Sequence, residues 1–388
     1  MHRPTGHPGR RSLGGFLIVT LFFLVSLAGS PILRAQEDQP AEEDQPAEEA
    51  QPEQEGFAVP KITMHGYLTQ AYARSDGHQF LGIPEEGTAD YRTAALQIRA
   101  DISASDFFLV QLSHERLGES PVQDLKDDVE LDWVFYEHRF EKSSVKVGRV
   151  QIPFGIYNEV KDVGTLLPFY RPPHNFYGEA AYSAETVDGI VLSHAFDLGG
   201  GWGLDTDLHY GNWQFIERDL QGGYAANDVK DSLGVELWLD TPVSGLRVGA
   251  GAIQYEIDPA TADESTWRNY HVSLSGEFDR FAVHAELKTV DIEVGEVYLG
   301  YVHLGFNLTD RITLNAQREG FDFKLDGAPR SDIDEDDALG VSFAWKPFIL
   351  LKAEHHWNEG NFWLEDVPQF STPAEKTRYW ILSLSTSF

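Results

Sequence analysis

The stretch RYWILSLSTSF, Arg378–Phe388, decides how the rest of the chain is read. Side chains alternate across a strand, so Trp380, Leu382, Leu384, Thr386 and Phe388 share one face. Tyr379, Ile381, Ser383, Ser385 and Ser387 share the other. One face is apolar and the other mostly hydroxyl. Such a strand needs a greasy medium on one side and a polar one on the other, which a soluble sandwich and a wet-lumened cylinder both supply.

The same alternation recurs upstream. In ALQIRADI, Ala94, Leu96, Ile98, Ala100 and Ile102 oppose Gln97, Arg99 and Asp101. In VELDWVF, Val129, Leu131, Trp133 and Phe135 oppose Glu130 and Asp132. LGVELWLD and RFAVHAELK repeat the pattern, with Glu236, Asp240, His284, Glu286 and Lys288 on the polar side. Sixteen strand candidates follow, near 61–74, 92–103, 107–116, 128–140, 144–152, 185–196, 201–213 and 230–241, then 245–256, 267–278, 281–290, 294–306, 311–322, 338–346, 348–357 and 377–388. The joins discriminate between sandwich and cylinder. Even-to-odd joins are tight (ASD, EKS, LGGG, PVSG, DR, NLTD, KP). Odd-to-even joins are mostly long, the one near Ile292 excepted. Short turns at one end and long loops at the other predict a transmembrane antiparallel β-barrel of 16 strands, all-β, with short periplasmic turns and long external loops. Closure removes the unpaired edges that hydrocarbon would punish. Sixteen tilted strands enclose a lumen too wide for wall side chains to fill.

The N-terminal region fits export. Arg3, Arg10 and Arg11 precede FLIVTLFFLVSLA, Phe16–Ala28, a run of thirteen residues that is shorter than the roughly 20 a spanning helix needs. The expectation is a signal peptide over 1–35, cleaved after Ala35, with Ala28 the second candidate. Residues 36–56 read QEDQPAEEDQPAEEAQPEQEG. Pro40, Pro46 and Pro52 break any helix, and the segment is expected to be a disordered acidic leader ahead of a barrel over 57–388. The chain has no cysteine, so the barrel holds by hydrogen bonding and packing alone. Net charge is −32, and the nine acids of the leader against the four N-terminal arginines leave 57–388 at about −27. That argues against nucleic acid as a partner.

The third long connection, GRVQIPFGIYNEVKDVGTLLPFYRPPHNFYGEA (Gly148–Ala180), mixes Tyr157, Phe169, Tyr170, Phe176 and Tyr177 with Glu159, Lys161, Asp162, Arg171 and Glu179. Pro153 ends strand pairing. So many aromatics on an outer loop would form an exposed apolar patch, so the loop is expected to fold inward, with its charges lining a narrowing.

These features resemble the Gram-negative outer-membrane porins. GRVQIPFGIYNE followed by LPFYRPP most resembles the phosphate-selective porin O/P type. The resemblance implies an outer-membrane location and a third loop that sets the constriction. It implies that Trp380, Leu382, Leu384 and Phe388 form the signal read by the barrel-assembly machinery, with Thr386 departing from the usual larger residue. Outer-membrane lipid and small hydrophilic solutes or ions are the implied partners, and a homotrimer is compatible with them. Better-known members often carry an N-terminal coiled coil, from which the proline-broken leader departs.

Strand parity predicts inward bases at Arg99, Lys146, Arg247 and Lys288. It predicts inward acids at Asp101, Glu115, Glu130, Asp132, Asp205, Asp207, Glu236, Asp240 and Glu286. Arg149 is ambiguous unless Gly148 makes a bulge. The candidate pore lining is therefore Arg99, Asp101, Lys146, Arg149, Glu159, Lys161, Asp162, Arg171, Glu179, Glu236, Arg247 and Glu286. Four bases against nine acids predict a water-filled, weakly cation-preferring channel. An anion- or phosphate-selective pore and a structural or adhesive barrel without an open lumen are the alternatives. Ser113–His114 and Ser193–His194 are strand neighbours that point apart, so no enzyme is expected. SDIDEDD, Ser331–Asp337, reads as a solvated external loop without EF-hand spacing. His355 and His356 fall on opposite faces, and no metal or cofactor is expected. Trp133, Trp202, Trp238, Trp345 and Trp380 read as interfacial aromatic girdles.

Overall fold

In the computed structural model the residues described are 60–178, 185–218, 224–258, 265–369, 371 and 373–388. The expected signal peptide, the leader and Glu179 lie outside them. Sixteen strands run in chain order. They are β1 (Lys61–Asp76), β2 (Thr88–Asp101), β3 (Asp106–Leu117), β4 (Glu130–Arg139), β5 (Ser143–Gln151), β6 (Thr186–Gly199), β7 (Trp202–Arg218) and β8 (Tyr224–Asp240). The second half comprises β9 (Leu246–Asp258), β10 (Ser265–Glu277), β11 (Phe281–Ile292), β12 (Gly295–Thr309), β13 (Ile312–Leu325), β14 (Ser331–Lys346), β15 (Ile349–Gly360) and β16 (Lys376–Ser387). Each pairs antiparallel with its chain neighbours, and β1 pairs with β16 to close the barrel. The closing register sets Tyr67 opposite Ser387 and Asp76 opposite Arg378.

The outer face is apolar through its middle. Leu68, Leu112, Leu192, Leu208, Val248, Leu287, Leu304, Leu351 and Leu384 all stand exposed on it, a surface that suits hydrocarbon. Toward the loop end the outer face turns charged: Arg149 pairs with Asp188 at 2.8 Å, and Arg318 pairs with Glu335 at 2.7 Å and Asp337 at 2.9 Å. The wall therefore rises past the apolar band. This corrects the reading of SDIDEDD as a loop. Ser331–Asp337 begins β14, with Asp334 and Asp336 buried inside and Glu335 and Asp337 outside, so an acidic run with Ile333 as its one apolar residue still alternates. Only residues 326–330 connect β13 to it, and residues 219–223 join β7 to β8, so several of the expected long loops are partly wall.

Phase is also corrected in β4. The register with β3 shifts between Gln111 and Leu112, where Asp132 is the extra residue. Asp132 keeps its lumenal side, bonded to Gln111, while Trp133 and Phe135 turn inward and are buried. The girdle reading fails for Trp133, and for Trp238, whose ring faces the lumen beneath the Arg247 guanidinium. Trp202, Trp345 and Trp380 keep the outer face, and Trp380 lies 5.4 Å from Tyr72 across the seam.

At that seam the Phe388 ring lies over Gly66, and the two residues exchange backbone hydrogen bonds of 3.1 and 2.9 Å. A methyl group at Gly66 would overlap the ring. Gly66→Val should therefore destabilise the barrel by about 1–3 kcal/mol through overpacking. Urea unfolding in detergent micelles measures this, and a midpoint equal to that of the unaltered chain would show that the seam repacks freely.

Candidate pore constriction

L3, the segment between β5 and β6, lies inside the barrel. Its ends are held together by the Ile152 N–H donating to Glu185 O at 2.9 Å. Gly155, at φ +60°, makes the turn in PFG. Tyr157, Phe169, Tyr170, Phe176 and Tyr177 are all buried, as expected of an inward loop. Phe154, Tyr157, Phe176 and Tyr177 belong to one buried cluster with Phe107, Trp133 and Phe135 of the wall, the last two turned inward by the β4 bulge.

Among its described residues L3 has almost no secondary structure, so its peptide groups need partners from elsewhere. The wall supplies them with lysine and glutamate side chains. Lys352 Nζ donates to the carbonyls of Gly164, Leu167 and Phe169 at 2.9, 3.2 and 2.5 Å. Lys288 Nζ donates to Phe176 O at 2.6 Å. Glu354 accepts from the Tyr170 N–H at 3.0 Å and Glu319 from the Asn175 N–H at 2.8 Å. Glu286 accepts from the hydroxyls of Tyr177, Tyr301 and Ser273. Gly164 sits where a side chain would strike Thr69 and Ser385. Ser385 of β16 is thus covered by L3 and fully buried, and Ser383 is buried as well, rather than bathed in lumenal water.

On its opposite side L3 leaves a cavity of about 170 Å³ against β2–β4. Lys161, Asp162, Arg171 and Glu185 face it from L3 and its end, and Glu115, Glu130 and Asp132 from the wall. Lys126 reaches in from the β3–β4 loop. Lys126 pairs with Glu115 at 2.5 Å and Lys161 with Glu185 at 2.6 Å. The carboxylates of Asp132, Asp162 and Glu185 come within 4.8 Å of one another. Burial, then the neighbouring Glu185 and Asp132 carboxylates, push the Asp162 carboxyl well above its ordinary range. Gln111 links the Tyr67 hydroxyl, at 2.6 Å, to Asp132, at 2.6 Å, and so fixes the bulged carboxylate. Arg171 lies over the rings of Tyr91 and Tyr170 and bonds the Tyr91 hydroxyl.

The predicted lining therefore divides. Lys161, Asp162 and Arg171 meet at the cavity. Arg99, Asp101, Lys146 and Arg247 face the lumen at the tight-turn end, where Arg99 pairs with Asp101 at 2.7 Å and Arg247 with Asp205 at 2.7 Å and Asp240 at 2.6 Å. Glu159 is exposed on L3. Three residues are corrected. Arg149 is on the outer face, because the β4–β5 register runs through Gly148 without a shift. Glu286 is an anchor buried beneath L3. Glu236 is also buried there, 2.8 Å from His271, which packs on Phe154. Strand parity located both carboxylates on the inner face but gave no sign that a loop covers them. Lys126, Glu185, Lys352, Glu354 and Glu319 escaped notice; an inward lysine beside an inward glutamate, as in Lys352–Glu354, was the signal available.

The loop-end mouth is braced by Glu365. It accepts from Gln79 Nε2 at 2.9 Å, the Gly82 N–H at 2.6 Å, the Ser120 hydroxyl and, at 3.4 Å, the Tyr224 hydroxyl. Lys352→Met would strip three buried L3 carbonyls of their donor, each orphan costing about 1–3 kcal/mol. L3 should then become protease-sensitive and single-channel conductance should rise; an unchanged digestion pattern in the folded variant would contradict the anchoring role.

No protein-family model matches the sequence, and no characterised protein matches it significantly. Solved structures match the fold. OmpF of Salmonella typhi, in complex with daunomycin, aligns over 85% of this chain and 98% of its own, with a TM-score of 0.60 at 11% identity. The outer-membrane channel DcaP of Acinetobacter baumannii aligns over 86% and 99%, with a TM-score of 0.56 at 11% identity. An anion-selective porin from Comamonas acidovorans aligns over 85% and 100%, with a TM-score of 0.56 at 12% identity. The chain thus has the 16-stranded fold of these porins.

Proposed function

We propose that the protein is an outer-membrane porin: a water-filled channel for passive diffusion of small hydrophilic solutes and ions, weakly preferring cations, with no enzymatic role. The observation that carries this reading is the sidedness of L3. One side is packed dry against β10–β16, while the other leaves charged side chains around a cavity of about 170 Å³. One water needs only about 10–15 Å³ of such space. The apolar outer band and the fold shared with outer-membrane channels support the location. In this reading residues 1–35 are a cleaved signal peptide, residues 36–56 a spacer, and Trp380, Leu382, Leu384 and Phe388 the assembly signal.

Cation preference follows from the five acids and three bases around the cavity, two of each being held in ion pairs with one another. A second reading, an anion-selective pore of the phosphate-selective O/P type, is favoured by Lys126, Lys161 and Arg171 converging on one gap. A similar fold is known in trimer form for OmpT of Vibrio cholerae, and we propose a homotrimer, which light scattering of the detergent-solubilised protein tests.

Reversal potential across a planar bilayer in a salt gradient should show cations favoured, and a sign favouring anions would select the second reading. The preference should fall as pH is lowered. Because the Asp162 carboxyl holds its proton to higher pH than an ordinary one, the fall should start above the ordinary carboxylate range. Asp162→Asn should remove that early part of the titration; a pH profile unchanged in this variant would rule Asp162 out as the titrating group.

A further inference from the structure

We propose that His174, Glu319 and Asp336 bind a divalent transition-metal ion of the zinc class, which ties L3 to the barrel wall. His174 opens the single helical turn of L3, His174–Tyr177, while Glu319 is on β13 and Asp336 on β14. Each offers one ligand atom, and these atoms lie within 4.8 Å of one another. Metal bonds of about 2.0–2.2 Å to nitrogen and oxygen place ligands about 3–4.3 Å apart around one ion, so small side-chain movements suffice.

Two further observations point to a ligand. The side chains are dry: His174 is 3% exposed, Glu319 1% and Asp336 0%. Yet His174 Nε2 and Asp336 Oδ2 make no hydrogen bond, nor does Oδ2 of the adjoining Asp334. Buried polar atoms are ordinarily satisfied. Charge is also out of balance. Glu319, Asp334 and Asp336 form one buried group, and their ion-pair partners among the described residues are the imidazoles of His174 and His356. Unpaired buried carboxylates are costly, and a dication would neutralise two of them.

The donor set names the ion class. An imidazole with two carboxylates suits zinc and its first-row neighbours, whereas calcium takes six to eight oxygens. Outer partners are in place, as such sites need. His356 Nδ1 lies 2.8 Å from Asp336 Oδ1, and Gln317 Nε2 and the Asn175 N–H donate to Glu319 at 2.9 and 2.8 Å. His174 and the nearby Gly178 also border the cavity beside L3, which gives the ion a route in.

The test uses the full chain in detergent, stripped with EDTA and titrated with Zn²⁺ by calorimetry, with Co²⁺ absorption as a report on nitrogen–oxygen coordination. The expected result is one ion per chain, not displaced by excess Ca²⁺. Affinity should fall at least about tenfold in His174→Gln and in Asp336→Asn, with a smaller loss in His356→Ala. Heat-modified gel mobility establishes that each variant is folded, and His174→Gln, which keeps a polar side chain of similar length, serves if Asp336→Asn does not fold. The proposal is overturned if the folded unaltered chain binds no more than a trace of metal, which would leave an imidazole–carboxylate clamp alone. Binding undiminished in folded His174→Gln would overturn it equally.

Discussion

A loop placed inside a barrel brings along peptide groups that its own conformation does not satisfy, and everything about this lumen answers to that requirement. A helix would satisfy them internally, but among its described residues L3 contains only a single helical turn, His174–Tyr177, and one short 3₁₀ turn, Asn158–Val160. The wall meets the demand with lysine and glutamate side chains. Lysine amines at 288 and 352 serve carbonyls, and carboxylates at 319 and 354 serve amides. Residues that look like pore lining on strand parity are therefore occupied in holding the loop, and the cavity is left to the other side.

That division explains how much of the molecule could be read in advance. Strand number, order and inner face follow from a period of two, a local property, so they were legible from alternations such as Trp380–Leu382–Leu384. The β4 bulge was not. One extra residue, Asp132, reverses the phase of Trp133 and Phe135 while leaving Asp132 where parity had placed it, and nothing in VELDWVF marks the site. Arg149 failed for the converse reason: Gly148 invited a bulge that the register does not contain. The acidic run at 331–337 misled because Ile333 is its one apolar residue, although above an apolar band a strand needs none on its outer face.

L3 was legible in direction but not in consequence. Its aromatics announced burial, and Lys161, Asp162 and Arg171 do reach the cavity. Which wall residues it would cover depends on contacts between positions more than a hundred residues apart, such as Tyr177 with Glu286. No local pattern encodes those. Burial of Glu236 and Glu286 beneath the loop therefore emerged only from the three-dimensional arrangement.

Glu365 has a consequence for how the molecule is met from outside. One carboxylate gathers Gln79, Gly82, Ser120 and Tyr224, four positions from three separate regions of the chain, into a single rim. The surface at that end is composite. A peptide copied from any one of those segments reproduces a fragment of it, held in none of the shape that the shared carboxylate imposes.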